Sequence, residues 1–139
     1  MQPDKKQALL IDDDFIVNKI NKYLIDSMHV FDSIEMKSTP AEALDFLKEK
    51  LVNNEALPGL ILVDISMPEM DGFEFIDVID ELLEEYKIQE APLFALLSGS
   101  NYKRDHEQFE KTPIVKKFLS KPLQKEDLEK LLNDFSFIA

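Results

Sequence analysis

Four groups of polar residues stand where apolar runs end, and their types suit the transfer of a phosphoryl group. Asp12-Asp13-Asp14 follows Ala8 to Ile11, and Asp64 follows Leu60 to Val63. Ser98-Gly99-Ser100 follows Leu93 to Leu97, and Lys121 stands just beyond Ile114 to Leu119. Carboxylates brought together repel one another, so such a cluster either takes up protons or binds a cation. Hard oxygen ligands favour Mg²⁺ or Mn²⁺ over zinc. Because Mg²⁺ keeps several waters, two carboxylates and a carbonyl suffice to hold it. With a cation among the acids, the Lys121 ammonium is left to meet an incoming anion, and the Ser98 hydroxyl adds a donor. A carboxylate surrounded in this way catalyses by positioning and charge neutralisation.

That chemistry requires the four groups to meet, and the periodicity of the chain supplies the frame. Short apolar runs alternate with amphipathic stretches, giving five strand–helix units. The first strand covers Ala8 to Ile11, and a helix follows over 15–28 with Ile16, Ile20 and Leu24 on its apolar face. Val30 to Lys37 is half-polar, as an edge strand would be. Thr39-Pro40-Ala41-Glu42 marks a helix start, with Thr39 as cap and Glu42 completing a capping box. Leu44, Leu47 and Leu51 continue that helix's buried face. Pro58-Gly59 reads as a turn. Leu60 to Val63 has the continuous apolar character of a parallel strand buried on both faces. Phe73, Ile76, Ile79 and Leu83 define a helix from 72 to about 87. Residues 101–111 carry a short, weakly periodic helix, and Leu128, Leu131, Leu132 and Phe135 mark the last one.

Such alternation implies an α/β fold, a doubly wound parallel sheet with helices on both faces. In the flavodoxin-like order 2-1-3-4-5, the first and third strands flank the switch in strand order, where ligands bind beyond the strand ends. That order brings Asp12, Asp13, Asp64, Ser98 and Lys121 into one crevice.

Composition removes several alternatives. The chain has 139 residues, enough for one domain, and shows no internal linker or repeat. Its formal net charge of −12 would repel phosphate backbones, which argues against direct nucleic-acid binding. There is no cysteine, which excludes disulfides and thiolate metal sites. The polar N-terminus does not read as a signal peptide, and no apolar run reaches membrane-spanning length, so a cytoplasmic location is expected. His29 and His106 lack ligand spacing and read as surface residues.

The motifs resemble a known family. Asp64 to Gly72 (DISMPEMDG) closely resembles the phosphoacceptor segment of bacterial response-regulator receiver domains. Leu10 to Asp14 (LIDDD) resembles their opening acidic motif, Ser98-Gly99 their hydroxyl and small-residue pair, and Phe118 to Pro122 (FLSKP) their aromatic and Lys-Pro segment. Order and spacing agree over roughly residues 6 to 136. The chain resembles the stand-alone, single-domain, chemotaxis-type receivers, with no output domain expected.

The resemblance implies roles. Asp64 would accept phosphoryl from the phosphohistidine of a sensor histidine kinase or histidine phosphotransfer protein. Asp13, Asp64 and the Ser66 carbonyl would hold Mg²⁺, with Asp12 acting mainly through water. Lys121 would bind the phosphoryl group, and its bond to Pro122 would be a candidate cis peptide. Ser98 and Phe118 would form the switch that alters the surface read by a downstream protein effector, with the chain a monomer or weak dimer. Ser98 stands where threonine is frequent and Phe118 where tyrosine is common. Ser66 and Ser100 occupy positions that tune access of the hydrolytic water.

Other readings compete with this one. A phosphorylation-independent interaction module would tend to have lost one of the key groups. An aspartyl phosphatase needs a second acid two residues after its nucleophile, where this chain has Ser66, so turnover of outside substrates is not expected. A flavin site would need a hydroxyl-rich phosphate loop where Asp12 to Asp14 stand.

Overall fold

The sequence runs that are apolar throughout become strands because helices cover both of their faces. The computed structural model describes residues 2–99 and 103–138. In chain order the elements are β1 (Asp4–Ile11), α1 (Phe15–Asp26), β2 (Ser33–Lys37), α2 (Pro40–Val52), β3 (Pro58–Asp64), α3 (Gly72–Glu85), β4 (Leu93–Ser98), α4 (Lys103–Glu110), β5 (Val115–Ser120) and α5 (Lys125–Asp134). The strands form one parallel sheet in the order β2-β1-β3-β4-β5, as expected.

Alternate residues of each strand point to opposite faces. Leu9, Ile11, Ile61, Val63, Phe94 and Leu96 face one core, closed by Leu47 of α2 and Phe75, Ile76 and Ile79 of α3. Ala8, Leu10, Leu60, Leu62, Ala95 and Leu97 face the other, closed by Ile25 of α1 and Leu128, Leu131 and Leu132 of α5.

Four local expectations need correction. β1 begins at Asp4 rather than Ala8, because backbone pairing with Pro58 extends it through the exposed residues Asp4 to Lys6. Pro58-Gly59 is not a turn but the buried start of β3. Glycine is required there, since a Cβ on Gly59 would lie 2.7 Å from the Asp4 carbonyl oxygen. The Thr39 hydroxyl accepts from the Glu42 N–H at 3.1 Å, but the reciprocal half of that capping box does not form. A complete box forms instead at α3, between Asp71 and Glu74.

The fourth correction concerns α1. Ile16 and Ile20 are 67% and 60% exposed, and Leu24 is only partly buried. The face turned to the sheet carries Asn18, Asn21 and Ile25. The Asn18 side-chain amide donates to the Asp12 and Lys37 carbonyl oxygens, and those bonds rotate the helix away from its most apolar stripe.

Candidate functional site

Strand register assembles the site. Ile11 lies opposite both Lys37 and Val63, so Asp12 emerges beside Asp64 at the same edge of the sheet. Asp64 pairs with Leu97, and Ser98 pairs with Ser120, one residue before Lys121. Asp12, Asp64 and Ser98 are all buried, at 2%, 4% and 4% exposure. The sheet therefore brings together the polar groups that lie far apart along the chain.

The acids and the lysine form a tight ionic group. Lys121 Nζ lies 2.8 Å from Asp12 Oδ2 and 3.0 Å from Asp64 Oδ1. Carboxylate oxygens of Asp12, Asp13 and Asp64 lie within 4.8 Å of one another. The backbone completes the frame. Asp14 N–H donates to Asp12 Oδ1 at 2.9 Å, and Ser66 N–H donates to Asp64 Oδ1 at 3.2 Å. Lys121 N–H donates to the Ser98 carbonyl at 2.8 Å, tying the ends of β4 and β5 together. The Lys121–Pro122 peptide is cis.

Electrostatics follow from that geometry. Burial pushes the Asp64 carboxyl up to about 6, and repulsion from Asp12 adds to it, against the lowering effect of the Lys121 hydrogen bond. Burial works to lower the Lys121 ammonium, but its bonds to Asp12 and Asp64 outweigh that and raise it above the ordinary lysine value. One ammonium thus serves two buried acids, while the third acid, Asp13, is exposed to solvent. Three oxygen donors of one sign, one of them open to water, fit a hard divalent cation.

Other expected residues fall into place around this centre. Asp14 caps α1, accepting from Ile16 and Val17 N–H, and Asp71 caps α3. Ser66 is exposed at the rim, where a groove of about 700 Å³ runs from Asp13 past Asp71. Phe118 is half-buried on β5, with its ring 4.5 Å from His106 and 5.8 Å from Phe109 of α4. His29 and His106 are both exposed, as expected, yet His106 shares the Phe118 ring contact that sequence spacing did not reveal. Ser100 lies outside the described residues. Asn18 was also missed. Its signal was a polar residue six positions after Asp12 within an amphipathic helix, a pattern shared by many solvated asparagines.

An open parallel α/β sheet with an acid-and-lysine crevice at its carboxyl edge defines the class of protein. Residues 8–133 match the model of the response regulator receiver domain, and the chain belongs to that family of two-component signalling proteins. It is 30% identical over 129 residues to the transcriptional regulatory protein CitT of Halalkalibacterium halodurans, covering 93% of this chain and 51% of that protein. It is 32% identical over 132 residues to hybrid signal transduction histidine kinase B of Dictyostelium discoideum, covering 88% of this chain and 6% of that protein. The chain thus spans about half, or far less, of the length of these relatives. Among solved structures, a two component response regulator from Cytophaga hutchinsonii has a TM-score of 0.81 at 33% identity, over 92% of this chain and 94% of that one. The receiver domain of a histidine kinase from Arabidopsis thaliana, in complex with Mg²⁺ and BeF3⁻, has a TM-score of 0.77 at 26% identity, over 94% and 87%. Among the described residues, no helix is long and apolar enough to cross a membrane.

Proposed function

We propose that this receiver domain accepts a phosphoryl group on Asp64 from a phosphohistidine of a sensor kinase or phosphotransfer protein, assisted by Mg²⁺. The observation that carries the reading is the shared ion pair: Lys121 Nζ stands 3.0 Å from Asp64 Oδ1 and 2.8 Å from Asp12 Oδ2, beside exposed Asp13. The relative crystallised with Mg²⁺ and BeF3⁻ supports the same choice of cation.

Asp13, Asp64 and the Ser66 carbonyl would hold the ion, with Asp12 behind them. The ion supplies positive charge that offsets both the crowded acids and the phosphoryl oxygens. An Asp64 oxygen attacks phosphorus, the P–N bond breaks, and the donor imidazole leaves with the bonding electron pair. Asp64 must be ionised to attack, and Lys121 favours that form. The same ammonium then binds a phosphoryl oxygen, and the buried Ser98 hydroxyl donates to another. Ser98 and Phe118 lie on neighbouring strands, with Phe118 packed against α4, so a change at Ser98 reaches the α4–β5 surface. A downstream protein reads that surface, or the phosphoryl group passes on along a relay. The chain transfers phosphoryl to and from itself and turns over no outside substrate.

Intact-mass measurement after incubation with Mg²⁺ and phosphoramidate tests this. The parent chain should gain one phosphoryl group, and Asp64→Asn should gain none. Absence of any gain in the parent, with small donors and with several histidine kinases, would instead identify a phosphorylation-independent interaction module.

A further inference from the structure

We infer that Asn18 is a positioning residue of the acceptor site, clamping the Asp12 backbone to the end of β2 and so setting where the Asp12 and Asp13 carboxylates stand. This rests on the reading of Asp64 and its neighbours as a Mg²⁺-assisted acceptor.

Asn18 is 1% exposed, although asparagine ordinarily favours the surface. Its Nδ2 donates to the Asp12 carbonyl at 3.0 Å and to the Lys37 carbonyl at 3.1 Å. Both amide hydrogens are therefore used. The orientation of the amide follows, because the flipped form would aim its oxygen at two carbonyl oxygens. Asn18 Oδ1 is buried and accepts no hydrogen bond among the described residues. The two donors are thus what this side chain contributes to the site.

The clamp closes a circuit around Asp12. The Asp12 N–H donates to the Lys37 carbonyl at 3.2 Å, and that oxygen also receives Asn18. Asp12 Oδ1 accepts from Asp14 N–H, and Asp12 Oδ2 accepts from Lys121. The residue is therefore held at its N–H, its carbonyl and both carboxylate oxygens. Asp13 is exposed, and its position follows from the peptide planes on either side of it. Loosening the Asp12 carbonyl frees the plane that joins Asp12 to Asp13, and with it the direction of the Asp13 carboxylate. Partners of this kind, one step removed from the ligands, govern metal affinity by orienting the groups that bind.

A merely structural role would be to pack α1 on the sheet. Asn21 separates the two possibilities. It is also buried, at 5% exposure, and lies on the same face of α1. Asn18→Leu and Asn21→Leu are compared for thermal midpoint, for Mg²⁺ affinity by titration of backbone amide shifts, and for phosphorylation rate by intact mass. Asn18→Leu should weaken Mg²⁺ binding on the order of 10- to 100-fold. It should slow phosphorylation most at low Mg²⁺, with partial recovery as Mg²⁺ saturates. Asn21→Leu should leave Mg²⁺ affinity within about twofold of the parent, whatever its thermal midpoint. Asn18→Ser keeps one donor, and should fall between the parent and Asn18→Leu; it also carries the test should Asn18→Leu not fold. Equal Mg²⁺ affinity in the parent and the Asn18 variants overturns the inference while leaving the acceptor reading intact. A parent that neither binds Mg²⁺ nor gains phosphoryl overturns both.

Discussion

At Asp64 two demands conflict. The carboxylate must be ionised to act as a nucleophile, yet burial and the neighbouring Asp12 push it up to about 6. The folded chain therefore holds a proton there more tightly than the unfolded chain does. Stability from this residue is fully present below the ordinary carboxylate value of 3.8 and is lost as pH rises through about 6. Asp64→Asn stays neutral throughout. In metal-free buffer it should match the parent near pH 4 and melt higher than the parent above pH 7, by differential scanning calorimetry. A parent that gains on the variant as pH rises would contradict the assignment. Lys121→Met leaves two buried acids without their shared cation, at a cost of about 3–5 kcal/mol at neutral pH. Denaturant titration should show that loss shrinking towards pH 5, as Asp64 takes up its proton. The residue types at this centre could be read before any coordinates, because each stands where an apolar run stops. The contact between the His106 and Phe118 rings could not, since it depends on how α4 packs against β5.

Among the elements, α1 shows how a few hydrogen bonds override a hydrophobic stripe. Turning Ile16 and Ile20 inward would bury more apolar surface but would tear Asn18 from two carbonyls at the strand ends. The Lys37 carbonyl would keep the Asp12 N–H, but the buried Asp12 carbonyl would lose its Asn18 donor at a cost of about 1–3 kcal/mol, comparable with the burial of one isoleucine. The polar anchors prevail. Ile20→Ser should thus change stability by no more than about 0.5 kcal/mol. Ile25→Ala, at a fully buried position, should cost about 2–4 kcal/mol by chemical denaturation. Similar losses at the two sites would refute this rotation of the helix. The start of α3 is equally constrained. A Cβ on Gly72 would stand 2.8 Å from the Asp64 carbonyl oxygen and 3.0 Å from Ile65 Cα. Gly72→Ala must push the backbone that carries the acceptor, costing about 1–3 kcal/mol and slowing phosphorylation in the mass assay. Helices α2, α3 and α5 were legible from their leucine and phenylalanine spacing because burial decides their facing. The facing of α1 was not, because polar contacts decide it.

Across the whole molecule, the net charge of −12 makes the crevice one concentration of a general negative field. A divalent cation bound to the folded form alone must raise stability. At about 100 times its dissociation constant, Mg²⁺ should add about 2.7 kcal/mol, read as an upward shift in melting. Asp13→Asn should lose most of that increment, with little change in metal-free stability because Asp13 is exposed. No Mg²⁺ shift in the parent would remove the metal from the mechanism. The sequence by itself determined the alternation of strands and helices and the four polar groups at strand ends. Both follow from local periodicity and from where apolar runs stop. Only the tertiary structure decided that one lysine pairs with two acids, and that the Asp64 carboxyl is raised. It also decided that α1 turns an asparagine inward. These depend on register and burial, which arise when segments distant in the chain close on one another.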